Sequence, residues 1–144
     1  MATIDTNLTT QWLQAMVQIN SVNPGLDDLG AGEAQVAYWL ADLCRALGLE
    51  VELQETARNR PNVIARWRGT GGGQSVLLTG HTDTVSLENM LDDPLDGRVE
   101  EGRLYGRGAY DMKGGLAAIL GAVEALKRDG FQPRGDIILG FVTD

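Results

Sequence analysis

The stretch Leu77-Leu78-Thr79-Gly80-His81-Thr82-Asp83-Thr84-Val85 decides how this chain is read. The apolar run Val76-Leu77-Leu78 is short and closed by Gly80, the pattern of a buried strand. His81, the only histidine among 144 residues, falls where that strand ends. Side chains two apart on an extended backbone point the same way, so His81 and Asp83 share a face and Thr82 turns away. A histidine and a carboxylate together at a strand end begin a metal site or an acid–base pair.

Working outward, helix and strand patterns alternate. Leu8, Trp12, Met16 and Ile19 recur at helical spacing, and Asn20-Ser21-Val22-Asn23-Pro24-Gly25 ends that helix with turn residues. Val36, Trp39, Leu40, Leu43 and Leu47 predict a second helix, with Gly48 as its left-handed cap. Trp12 and Trp39 are expected in the core. Residues 49–53 and 62–67 read as strands. The glycine-rich loop 69–74 joins the second of these to the strand ending at His81, so those two are expected to be antiparallel neighbours. Residues 97–106 predict a hairpin turning at Glu101-Gly102. A third helix is expected from about Asp111, with Leu116, Ile119, Leu120, Val123 and Leu126 buried and Gly130 as its stop. Asp136 to Asp144 is a nearly continuous apolar strand, so helices are expected on both faces of the sheet.

The bulk properties narrow the function. The net charge of −8 offers no basic patch for nucleic acid. No apolar stretch approaches the length of a membrane span, and the first residues lack the basic and apolar regions of a signal peptide, which sets the cytoplasm as the expected location. One cysteine, Cys44, forms no internal disulfide and is expected as a small core hydrophobe. Asp92, Asp93 and Asp96 do not have calcium-loop spacing and read as a solvated surface loop.

Asp111 admits two readings from its residues alone. One is an N-cap of the third helix. The other is a ligand, favoured by Gly106, Gly108, Gly114 and Gly115, which strip side chains from both sides of one carboxylate. Gly106-Arg107-Gly108-Ala109-Tyr110-Asp111 also approaches a dinucleotide fingerprint. There a carboxylate occupies the position of the third glycine and would repel a pyrophosphate.

Gly80-His81-Thr82-Asp83-Thr84-Val85 and Gly106-Arg107-Gly108-Ala109-Tyr110-Asp111-Met112-Lys113-Gly114-Gly115 together resemble the dinuclear-zinc amidohydrolase and metallopeptidase family. That family includes acetylornithine deacetylase, succinyl-diaminopimelate desuccinylase, aminoacylase and glutamate carboxypeptidase. Arg60-Pro61-Asn62-Val63-Ile64-Ala65 and Asp93-Pro94-Leu95-Asp96-Gly97 are lesser matches. At Leu95 the family more often has phenylalanine.

The resemblance implies a three-layer α/β/α sandwich of a zinc exopeptidase-like catalytic domain, of which residues 1–144 are an incomplete, N-terminal portion. It implies hydrolysis of the amide bond of an N-acyl amino acid or small peptide by a metal-bridged hydroxide. His81 would bind one of two zinc ions, Asp111 would bridge both, and Asp83 would act in catalysis by orienting His81. Cobalt or manganese would suit the same ligand types. The general base, the other ligands and a smaller domain that makes the homodimer would lie past Asp144, leaving this chain inactive alone. The implied partner is a small N-acyl amino acid or peptide, with no nucleic acid and no membrane. The competing readings are a non-catalytic α/β binding module with a degenerate metal site, and a nucleotide-binding α/β protein.

Overall fold

A computed structural model describes all residues, 1–144. Helices α1 (Thr6–Gln18) and α2 (Ala34–Ala46) precede strands β1 (Glu50–Ala57), β2 (Arg60–Trp67) and β3 (Val76–His81). A small hairpin, β4 (Val99–Glu100) and β5 (Arg103–Leu104), leads through a wide turn at 109–113 into α3 (Gly114–Arg128). Strand β6 (Ile137–Val142) comes last. Local chemistry fits these bounds. Asp5 caps α1 by accepting from the Leu8 N–H at 3.0 Å. Gly48, at φ +73°, closes α2.

The four long strands form one sheet in the order β1-β2-β6-β3. β1 and β2, and β2 and β6, are antiparallel, while β3 and β6 are parallel, with His81 opposite Val142. The expected β2–β3 neighbour pair is therefore replaced. β6, the more continuously apolar strand, lies between them, because a central position is where apolar side chains on both faces find neighbours. β3 becomes an edge strand, with Val76 and Leu77 exposed rather than buried.

One core holds the fold together. Val63, Ala65 and Trp67 of β2 and Leu139 and Phe141 of β6 alternate onto the same face. Met16 of α1, Leu40 and Cys44 of α2, and Leu116, Leu120 and Val123 of α3 pack onto them. Each such leucine contributes roughly 1.5–3 kcal/mol of burial. Within these residues the helices form a single layer on one face, not both. On the other face Ile138 lies between Arg66 and Leu77, and a Cβ at Gly140 would meet only Leu77 and Thr79. No helix is long and apolar enough to cross a membrane.

Candidate metal-binding site

His81 ends β3, at the carboxyl end of a parallel pair, where open α/β sheets place their ligands. The backbone then leaves the sheet under restraint. Thr82 N–H donates to the Val142 carbonyl at 2.8 Å, and the buried Ser21 hydroxyl donates to the Thr82 carbonyl at 2.8 Å. Strand parity holds one residue further: Asp83 comes back to the face of His81. The ring Nδ1 of His81 lies 3.2 Å from Asp83 Oδ1 and 3.1 Å from the Asp83 carbonyl oxygen. Both partners are acceptors, so Nδ1 meets them as a donor when it carries a proton.

The opposite ring nitrogen, Nε2, lies 3.0 Å from Asp111 Oδ1. Asp111 does not cap α3. Its backbone is extended at φ −118°, ψ 101°, the helix begins three residues later at Gly114, and the Asp111 side chain is 81% exposed. Nothing but His81 takes its carboxylate. The three residues expected from sequence thus meet around one imidazole.

Burial of the ring works to lower the His81 pKa. The hydrogen bond to Asp111 and the charge of Asp83 outweigh it and hold the pKa above its ordinary value.

Glycines allow close backbone packing around Asp111. A Cβ on Gly80 would overlap Met112 Cε and Leu116 Cδ2, so Gly80 admits the Asp111-Met112 turn against β3. Gly108, at φ +78°, would set a Cβ 2.7 Å from Thr84 Cγ2. Both glycines let the turn pack close to the site strand.

Sequence reading missed four supporting residues. Lys113, 1% exposed, donates from Nζ to the carbonyls of Met16 and Ile19 at 2.8 and 2.9 Å, pinning the Asp111 turn to the end of α1. Burial pushes its ammonium down to about 8. Glu33, fully buried, holds Arg60 through both carboxylate oxygens at 2.8–3.2 Å. Arg60 also donates to the Asp144 carbonyl. Asn23 donates to Asp83. Lys113 and Arg60 stand in quoted motifs, which was the one available signal. By contrast Cys44 is buried in the core, its thiol pushed up to about 12 by burial, and takes no part.

A cleft of about 420 Å³ opens over the site, lined among others by His81, Asp83, Asp111, Asp144, Arg107 and Tyr110. Arg107 is its one cationic lining residue besides the imidazole. Imidazole and carboxylate are the ligand types that zinc takes, and Nε2 of His81 faces Asp111 as two ligands of one ion would. They are two of the roughly four that zinc requires. No group of three or more His, Cys, Asp or Glu here could hold a metal ion. The donor set therefore fits a metal centre in part.

Residues 77–144 match the family model described as Peptidase family M20/M25/M40. The chain is 33% identical to an N-formyl-4-amino-5-aminomethyl-2-methylpyrimidine deformylase of Halalkalibacterium halodurans, over 99% of the chain and 34% of the relative. It is 38% identical to a succinyl-diaminopimelate desuccinylase of Methylobacterium nodulans, over 90% of the chain and 32% of the relative. Its fold matches the M20 family metallo-carboxypeptidase of Sulfolobus solfataricus with a TM-score of 0.78 at 24% identity, over 96% of the chain and 31% of that structure. The chain spans about a third of the length of the curated relatives it matches. In its motifs, its fold and these relatives together, the chain is similar to members of peptidase family M20/M25/M40.

Proposed function

We propose that the chain carries one corner of the active site of a metal-dependent hydrolase that cleaves the amide bond of an N-acyl amino acid or small peptide. The observation that carries this reading is the convergence of His81 Nε2 and Asp111 Oδ1 at 3.0 Å, from two different elements, at the mouth of a cleft. The names of the relatives, a deformylase and a desuccinylase, support an acyl group on nitrogen as the target.

His81 and Asp111 would hold zinc, with cobalt or manganese able to use the same donors. When bound, such an ion supplies Lewis-acid polarisation of a carbonyl and lowers the pKa of water. The chain's own residues prepare that centre. Asp83 accepts the Nδ1 proton of His81, fixes the tautomer that leaves the Nε2 lone pair outward, and raises the basicity of the ring. Lys113 fixes the turn that presents Asp111. Two ligands fall short of a metal set, so the remaining ligands and the proton-transfer group are proposed to lie outside residues 1–144, as is a domain that makes a homodimer. The chain alone is proposed to be inactive.

The test uses the protein that contains this chain. His81→Ala and Asp111→Ala should each lower metal content, measured by plasma mass spectrometry, and abolish hydrolysis of N-acyl amino acids. Asp83→Asn should keep more metal and lose roughly 10–100-fold in activity. Normal metal content and turnover in either alanine variant sinks the reading. A wild-type protein that binds no metal and hydrolyses none of these substrates supports the binding-module alternative.

A further inference from the structure

Asn23 lies in the loop after α1, sixty positions before Asp83, and is 6% exposed. Its backbone is tied to the site strand's extension. Asn23 N–H donates to the Thr84 carbonyl at 2.9 Å and Thr84 N–H donates to the Ser21 carbonyl at 2.9 Å, around a parallel bridge between Val22 and Thr84.

The orientation of its side-chain amide is settled by its neighbours. Oδ1 accepts from the Gly25 N–H at 2.8 Å, which only the oxygen end can do. Nδ2 therefore faces Asp83 Oδ2 at 3.0 Å and the Asp144 carbonyl at 3.2 Å, both acceptors. The turn at 23–25 needs only an acceptor at position 23, and an aspartate or serine would serve it as well. The donor half of the amide has no part in that turn. Its two N–H groups go to Asp83 and to the chain leaving β6.

Resting on the reading of His81 as a metal ligand, we propose that Asn23 is a positioning residue for the His81 site. By binding Oδ2 it holds the Asp83 carboxylate in the rotation that turns Oδ1 to His81 Nδ1. The two oxygens of Asp83 are thereby divided between a donor from the α1–α2 loop and a donor from the ring. A neutral ring held this way favours the Nδ1–H form, which leaves Nε2, on the Asp111 side, open to bind a metal ion. Without Asn23, Asp83 is free to rotate about its side-chain bonds, and Nδ1 keeps only the Asp83 backbone carbonyl at 3.1 Å against the carboxylate of Asp111 on Nε2.

Asn23→Asp separates this role from a structural one. It preserves the acceptor for Gly25 and the shape of the side chain, but sets a carboxylate against Asp83 in place of a donor. His81 is the only histidine of the 144-residue chain, so its two-bond ¹⁵N–¹H correlations report the tautomer directly, above the pH at which the ring is charged. Wild type should show the Nδ1–H form in excess. Asn23→Asp and Asn23→Ser should both lose that excess. Combining Asn23→Asp with Asp83→Asn should restore it. The exchange moves the amide to the other side of the same contact: its NH₂ then donates back to the carboxylate in the α1–α2 loop, while its oxygen still accepts from the ring. In the protein that contains the chain, Asn23→Asp should lower kcat roughly 10–100-fold with KM unchanged. A wild-type tautomer ratio in both folded single variants overturns the proposal, as does unchanged kcat in an active protein. A changed tautomer in a protein that neither binds metal nor hydrolyses leaves this inference standing and removes the hydrolase reading.

Discussion

The ammonium of Lys113 lies 2.8 Å from the carbonyl oxygen of Met16, almost wholly out of solvent. It also takes the carbonyl of Ile19. The last carbonyls of a helix have no partner within the helix, so a buried cation is a fitting one. Lys113→Met would keep the packing of the aliphatic stem and remove the donor. The Ile19 carbonyl would then be left unpaired, while the Met16 carbonyl keeps the Ile19 N–H at 3.2 Å, at a cost of about 1–3 kcal/mol. A lower urea midpoint at unchanged slope is the expected result. Stability equal to wild type would show that water or a rearranged backbone replaces the ammonium.

Arg60 and Glu33 make a different kind of prediction. The Glu33 side chain is fully buried and its partner is 18% exposed. Hydrogen bonding to Glu33, more than any other factor, raises the Arg60 pKa above its ordinary value. Arg60→Met should strand a buried carboxylate and cost about 3–5 kcal/mol. Adding Glu33→Leu should recover most of that loss, since an apolar pair of similar volume needs no partner. Equilibrium denaturation of the single and double variants measures both. Equal stability of the two would mean that Glu33 finds another partner.

His81 sets a pH dependence in the metal-free protein. Its folded pKa is above the ordinary value of 6.5. The stability it contributes is therefore fully present below 6.5 and is lost as pH rises through the higher folded value. Wild type minus His81→Gln, compared by thermal melts in chelator, should shrink as pH rises from about 6 to 8. A difference that grows with pH would show that burial of the ring outweighs its two carboxylate neighbours.

The site was legible in sequence where its geometry is local. His81 and Asp83 are two apart on extended backbone, so strand parity alone brings them to one face. Asp111 needed the motif around it, because nothing in its spacing says that it meets a ring thirty positions earlier. Asn23 was read as a turn residue, and half of its amide is one. Its other half bonds Asp83, and no local pattern reports a contact across that distance in the chain. Lys113 shows the same limit: a lysine after a motif aspartate carries no sign of being buried until α1 is seen against it. For the fold, helical periodicities placed α1, α2 and α3, since amphipathic stripes are written within the element. Strand order was not, because β6 pairs with β2 and β3 through registers set far along the chain. That is why β3 was expected in the interior and stands at the edge.

The parallel pairing of β3 with β6 has a consequence in time. Val76 pairs with Ile137, so the strand that ends in His81 leaves the ribosome well before the neighbour it bonds to is made. At typical synthesis rates of roughly 5–20 residues per second, that interval is on the order of several seconds. Through it Val76, Leu77 and Leu78 stand as an apolar strand with both edges open, a template for pairing with another chain. β2, by contrast, already has β1 beside it. The segment that delivers the imidazole is thus the one that most needs shelter during translation, and slower synthesis between Thr82 and Asp136 would lengthen its exposure.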